Sequence, residues 1–199
     1  MKAAAADPLS PLAQQLIRAA PDGYRKLTVA GPPSAAARKL LGNVTPAQLL
    51  TAPVTSSSAG QALLAGLWLW HDCLDESHTI SQSIASQTGS FWHAIMHRRE
   101  GDFSNSKYWY ARCRSHPVLR LIAARASEVL KGDLIDARRA GGLLGEGFDT
   151  YAFVELVEAV HDKPKDPSHA AAVRLQQLEW QELFNACARA AVGAGEMGI

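Results

Sequence analysis

The sequence predicts an all-α fold: a single helical domain of about seven to nine helices around a central buried helix, residues 61–83. No stretch sustains the period-2 alternation of a half-buried strand. Several segments instead repeat apolar residues at helical spacing, and Pro and Gly clusters separate them at helix-like intervals. The chain has 199 residues, 47% hydrophobic and 20% charged, which suits one globular domain with a proper core. Residues 1–59 are expected to wrap that core with short helices and turns, residues 60–192 to form it, and residues 193–199 to be a flexible tail.

In chain order, Pro8 to Ala20 is a first amphipathic helix on Leu12, Leu16 and Ile17, broken by Pro21-Asp22-Gly23. Tyr24 to Ala30 reads as a short strand or an extended link, and Gly31-Pro32-Pro33 as a turn. Ser34 to Leu41 is a short helix ending at Gly42. Thr45 caps a turn of helix from Pro46 to Leu50, with proline at the first helical position. Thr51 to Gly60 is small, polar and expected to be loop. The helix from Gln61 to about Ser83 contains no proline, and only Gly66 weighs against it. A second helix begins at Ser90, capped from Thr88-Gly89-Ser90, and ends at Gly101. Asp102 to Asn105 reads as loop, Ser106 to Arg114 as helix, and Pro117 to Lys131 as a strong helix on Val118, Leu121, Ile122 and Leu130. A short helix, Leu134 to Arg139, sits among glycines. Gly142-Leu143-Leu144-Gly145 lacks the strand and the GK[ST] ending of a phosphate loop, so these glycines read as turns. Asp149 or Thr150 caps Tyr151 to His161, and Ser168 caps a last long helix from His169 to about Val192.

Four of the seven histidines fall between His71 and Tyr110. On the first central helix His71, Asp75 and His78 have i, i+4, i+7 spacing, continuing a face that begins with Leu64, Leu67 and Trp68. On the second, His93, His97 and Glu100 repeat that spacing. A short Ser-rich connection makes the helices antiparallel neighbours and places His78 near the level of His93 and His97. The two polar stripes are therefore expected to face each other across one cleft. Its candidate acid–base groups are His71, Asp75, His78, His93, His97 and Glu100. Arg98 and Arg99 would hold a carboxylate or phosphate, with Trp92, Asn105, Tyr108 and Trp109 as further ligand contacts. Ser77, Ser90 and Cys187 are weaker candidates as nucleophiles; Ser90 is explained by capping.

Other chemistries compete with this one. His93 and His97 share the spacing of H-E-x-x-H, but Ala94 stands where its glutamate would be. Asp75-x-x-His78 and Glu158-x-x-His161 have the carboxylate–histidine spacing of di-iron bundles, without the separate glutamates that such bundles need. No cofactor is favoured on these spacings. A divalent metal (Zn or Fe) on Asp75, His78, His93 and His97 is the alternative, and a purely structural or interaction domain is another. The basic run Arg98, Arg99, Lys107, Arg112, Arg114, Arg120 and Arg125, with Tyr108-Trp109-Tyr110, could form a stacking platform for nucleic acid. A formal charge of +1 for the whole chain argues against that and against a membrane-surface binder. The expected partner is a small polar or anionic molecule. No apolar run approaches the ~20 residues that span a bilayer. Three scattered cysteines and a start without an apolar leader segment fit reduced thiols in a cytoplasmic protein.

The segments Trp70-His71-Asp72 to His78, then Gly89-Ser90-Phe91-Trp92-His93-Ala94-Ile95-Met96-His97-Arg98-Arg99-Glu100-Gly101-Asp102, then Asn105 to Tyr110, resemble a family of uncharacterised soluble proteins from bacteria and fungi. The similarity covers roughly the middle third of the chain. It implies that the site lies there and implies no particular reaction.

Overall fold

The computed structural model describes residues 7–20, 22–130, 143 and 147–194. Among them the protein is all-helical, with nine α-helices and no sheet. These are α1 (Pro11–Arg18), α2 (Ala35–Leu41), α3 (Ser57–Trp70), α4 (Leu74–Gln82), α5 (Gln87–Glu100), α6 (Phe103–Tyr110), α7 (Val118–Val129), α8 (Thr150–Val160) and α9 (Pro167–Ala191). Short 3-10 segments lie at Pro46–Leu49 and Ala111–Cys113. The expected helix Leu134 to Arg139 and the glycines around it fall outside the described residues.

Side-chain caps set most of the helix starts, because the first turn of a helix leaves its N–H groups without partners. Ser10, Ser56, Ser86, Asp102, Asp149 and Asp166 each accept a backbone N–H from the turn they open. Several of these caps correct the sequence reading, and Ser56 starts α3 at Ser57, within the expected loop 51–60 and ahead of Gln61. Ser86 starts α5 at Gln87 rather than Ser90. Asp102 accepts from the Asn105 amide at 3.0 Å, so the expected loop 102–105 is the first turn of α6. Asp166, not Ser168, caps the last helix. The Tyr24–Ala30 segment is an extended link.

The larger correction concerns residues 61–83, which form two helices rather than one. α3 ends in a left-handed turn at Asp72, whose φ is 61°. The Cys73 amide returns to the Trp68 carbonyl and the Asp72 amide to Leu69, the paired bonds of a Schellman ending. Asp tolerates this backbone better than most residues, and its carboxylate is taken by Arg99 at 2.8 Å and by Lys26 at 3.6 Å. The chain then sets off again as α4. His71 therefore lies on a different helix from Asp75 and His78.

The core is built on α9, which packs against α3, α7 and α8, while α5 packs between α4 and α6. Gly66 lets α3 approach closely: a Cβ there would stand 2.6 Å from the Trp92 ring. α5 is buried nearly all round, so its charged side chains must find partners inside. Arg98 donates to Glu179 of α9 and to Tyr110 of α6, each at 2.5 Å, and Tyr110 donates to Glu179 at 2.6 Å. Arg99 donates to the carbonyls of Leu69 and Lys26 and to Asp72, and stacks on Tyr24 at 4.0 Å.

Candidate functional site

α4 and α5 run side by side and bring His78, His93 and His97 together, at the level that counting outward from their connection predicts. His93 and His97 are one helical turn apart on α5 and their rings stack, with centroids 4.8 Å apart. His78 reaches across from α4 and sets its ring edge-on to both, at 4.6 Å and 5.6 Å. One potential ligating nitrogen from each ring lies within 4.8 Å of the others.

α6 completes the surroundings. Trp109 stacks on His93 at 4.0 Å with 14° between the planes, and the Arg112 guanidinium lies 5.3 Å from the Trp109 ring centre. The Glu100 carboxylate lies 3.0 Å from His97 Nδ1, and the Asn105 amide nitrogen lies 3.1 Å from Nε2. A carboxylate at Nδ1 fixes the tautomer with the proton on that nitrogen, and the Nε2 lone pair then faces the Asn105 amide nitrogen.

Burial lowers the basicity of the two histidines on α5. Burial, together with the neighbouring His97 and His78, pushes His93 down to about 4. Burial also lowers His97, against the opposing pull of Glu100. Near neutral pH His93 therefore carries no charge and presents a lone pair. Its Nδ1 is buried and has no hydrogen-bond partner among the described residues. A buried polar atom left without a partner is costly and asks for an explanation.

Of the expected site residues, the fold gathers His78, His93, His97, Glu100, Asn105 and Trp109. Tyr108 stands at the rim, 55% exposed, with its ring edge-on to Trp109. The others are elsewhere. His71 is buried and its Nε2 is 3.0 Å from the Leu16 carbonyl; burial lowers its basicity. Asp75 points into solvent, with Arg38 at 3.8 Å. Arg98 and Arg99 are wholly buried and committed to Glu179, Tyr110, Asp72 and backbone carbonyls, so they do not line a cleft. Trp92 is a core residue packed on Gly66. Asp75 is accordingly absent from the metal-competent group, which is His78, His93 and His97.

The basic run does not form one surface either. Arg98 and Arg99 are inside, Arg125 is paired with Glu182, and Arg114 lies over Tyr151. Arg112 is the member of that run that reaches the site. Its i, i+3 spacing from Trp109 was the available signal. Cys73, Cys113 and Cys187 are free and buried, and burial pushes each thiol up to about 12. No helix among the described residues is long and apolar enough to cross a membrane. No family model, no curated protein and no solved structure matches the chain.

Proposed function

We propose that the protein binds a divalent transition-metal ion through His78, His93 and His97, and that this ion carries acid–base or hydrolytic chemistry on a small polar or anionic molecule. The observation behind this reading is the convergence of three imidazoles from two helices, one of them with a buried ring nitrogen that has no partner among the described residues. Imidazole nitrogen suits zinc, iron, copper and nickel. Three protein ligands leave a fourth position open, as in hydrolytic zinc centres, and three neutral ligands leave the ion its full charge to polarise a bound group. The Glu100–His97 bond supplies the carboxylate support that ligating histidines commonly have.

The fit requires movement. Tetrahedral zinc at about 2.0–2.1 Å from each nitrogen places its ligands roughly 3.3 Å apart. The three rings would have to close from within 4.8 Å, and His93 and His97 would have to turn out of their stack. Ring rotation about the terminal side-chain torsion is soft enough to allow this. This reading takes the alternative that the spacing favoured less, because Arg98, Arg99, Asp75 and His71 do not reach the cluster that the metal-free cleft required.

The test is metal binding by untagged protein. We expect about one equivalent of Zn²⁺ by elemental analysis and by calorimetric titration. Co²⁺ in its place should give a tetrahedral absorption spectrum. Both signals should vanish in His93→Ala/His97→Ala and persist in His71→Gln. No binding, or binding unchanged in the double variant, would overturn the reading. His97 with Glu100 would then remain as a metal-free acid–base pair.

A further inference from the structure

On another part of the molecule, a cavity of about 840 Å³ opens between the N-terminal segment and α9. That volume is in the range of small-molecule sites. It does not touch the histidine cluster, and its lining is of a different kind. One wall is aromatic: Trp70, Trp180 and Phe184 pack on one another, with centroids 4.1 Å and 4.4 Å apart along the series. The two tryptophans are fixed from behind, since the Trp70 indole N–H donates to the Ile17 carbonyl at 2.8 Å and that of Trp180 to Gly66 at 2.7 Å. The wall thus asks for no polar partner of its own.

The second feature is a polar strip on α9. Gln177, Gln181, Asn185 and Arg189 line the cavity at successive steps of four residues, so they share one helix face. Gln177 is engaged by the Gly23 carbonyl at 2.7 Å. Arg189, half-buried at the far end, has no ion-pair partner among the described residues. Among the described lining residues Asp7 is the one carboxylate, and its oxygens already accept from the Leu9 amide at 3.0 Å and the Gln14 amide group at 3.2 Å. The last-turn position makes a cation comfortable at Arg189. It does not explain an open, largely apolar cavity that ends on a guanidinium with no ion-pair partner among the described residues.

From this arrangement we infer that the cavity is a binding site for a small amphipathic carboxylate, with its hydrocarbon body along the Trp70–Trp180 wall and its acid group on Arg189. The guanidinium offers a fork of donors that matches a carboxylate. The aromatic residues of the lining all belong to one packed wall, so there is no slot in which to sandwich a ring. From Trp180 to Arg189 the helix advances about 13 Å. Those dimensions suit an extended chain better than a compact charged metabolite. The two amides between, Gln181 and Asn185, lie beside the path and can meet the polar end.

The test uses the full-length protein and three probes of equal chain length: octanoate, 1-octanol and octylamine. Binding is read by calorimetry and by tryptophan fluorescence, since Trp70 lines the cavity. We expect saturable binding of octanoate, at least tenfold tighter than octanol, which corresponds to about 1.4 kcal/mol for the charged contact. Arg189→Gln should remove that preference and leave octanol binding where it was. Arg189→Lys should restore part of it. Circular dichroism verifies that each variant is folded. Equal binding of acid and alcohol, stronger binding of the amine, an octanoate affinity indifferent to Arg189→Gln, or no saturable binding of any probe would each overturn the assignment. The metal site can fail without affecting this result, because the two sites share no residue.

Discussion

Arg98 and Glu179 have no exposed surface and meet, with Tyr110, in a closed triangle of hydrogen bonds between α5, α6 and α9. A buried ion pair adds little compared with an apolar pair of the same shape, but removing one member strands the other charge. Arg98→Met and Glu179→Leu are therefore each expected to cost about 3–5 kcal/mol in urea unfolding. The double variant should be clearly less destabilised than the two single losses added together. Simple additivity would show that the charges are independently solvated. His116 makes a different prediction. Its Nδ1 accepts from the Val118 amide, its Nε2 meets Thr88 at 3.1 Å, and burial holds it down to about 4. The folded state thus keeps it neutral while the unfolded chain protonates it near 6.5. The contribution is fully present above about 6.5, and is lost as pH falls from about 6.5 towards 4, below which the loss levels off. Between pH 7 and pH 5 this amounts to roughly 2 kcal/mol. The His116→Asn variant, compared with the parent by denaturant titration at both values, should show a pH dependence smaller by about that amount. An unchanged slope would mean that His116 is protonated in the folded protein. The same scale shows what residue types reveal and what they hide. His93 and His97 were legible because both lie on one helix face, and Glu100 and Asn105 because they lie within a turn or two of His97. Arg98 and Arg99 were misread as ligand-binding, since nothing near them in the chain announces Glu179 or the carbonyl of Lys26.

At the scale of elements, spacing placed the helices well and their ends less well. The helix carrying His78 and the helix carrying His93 and His97 were expected to be neighbours with the three histidines near one level, and α4 and α5 do bring these rings together, because a short link leaves few other arrangements. The break at Asp72 was not legible. A left-handed residue is announced by glycine, and here it is an aspartate whose partners Arg99 and Lys26 come from elsewhere in the chain. Helical periodicity runs through such a break without a mark, so His71 was assigned to the face of Asp75 and His78. The early start of α5 has a similar origin, since Ser86 and Ser90 are equally plausible caps and only Ser86 is used. Gly66 carries the prediction at this scale. In an exposed helix, replacing glycine by alanine stabilises by up to about 1 kcal/mol. Here a Cβ would lie 2.6 Å from the Trp92 ring and 3.1 Å from Phe184, and the core at that seam cannot yield without moving α5. Overpacking of this kind costs about 1–3 kcal/mol, so it outweighs the propensity gain. Gly66→Ala should lower the urea midpoint. A higher midpoint would mean that the seam between α3 and α5 has room to spare.

At the scale of the whole molecule, the N-terminal segment is held mainly through its backbone carbonyls. Trp70 and His71 engage the carbonyls of Ile17 and Leu16, Arg99 and Gln176 both take that of Lys26, Gln176 also takes that of Tyr24, and Gln177 takes that of Gly23. The Val29 amide in turn donates to the Arg99 carbonyl at 2.7 Å. These groups come from α3, α5 and α9, which also pack on each other, so detaching the segment would leave several buried donors without acceptors. Each such loss costs about 1–3 kcal/mol, which makes separate release of the segment expensive compared with the marginal stability of a domain. The expected outcome is one cooperative transition. Helical circular dichroism and tryptophan fluorescence, followed together through a urea titration, should give the same midpoint and the same slope. The fluorescence is sensitive to the segment because Trp70 stacks on Tyr24, with ring centres 5.0 Å apart. A fluorescence change that precedes the loss of helix would overturn this expectation. Residues 7–50 would then come away while the helices around α9 stay folded, and the carbonyl bonds would be latches on a separable segment rather than part of one cooperative core.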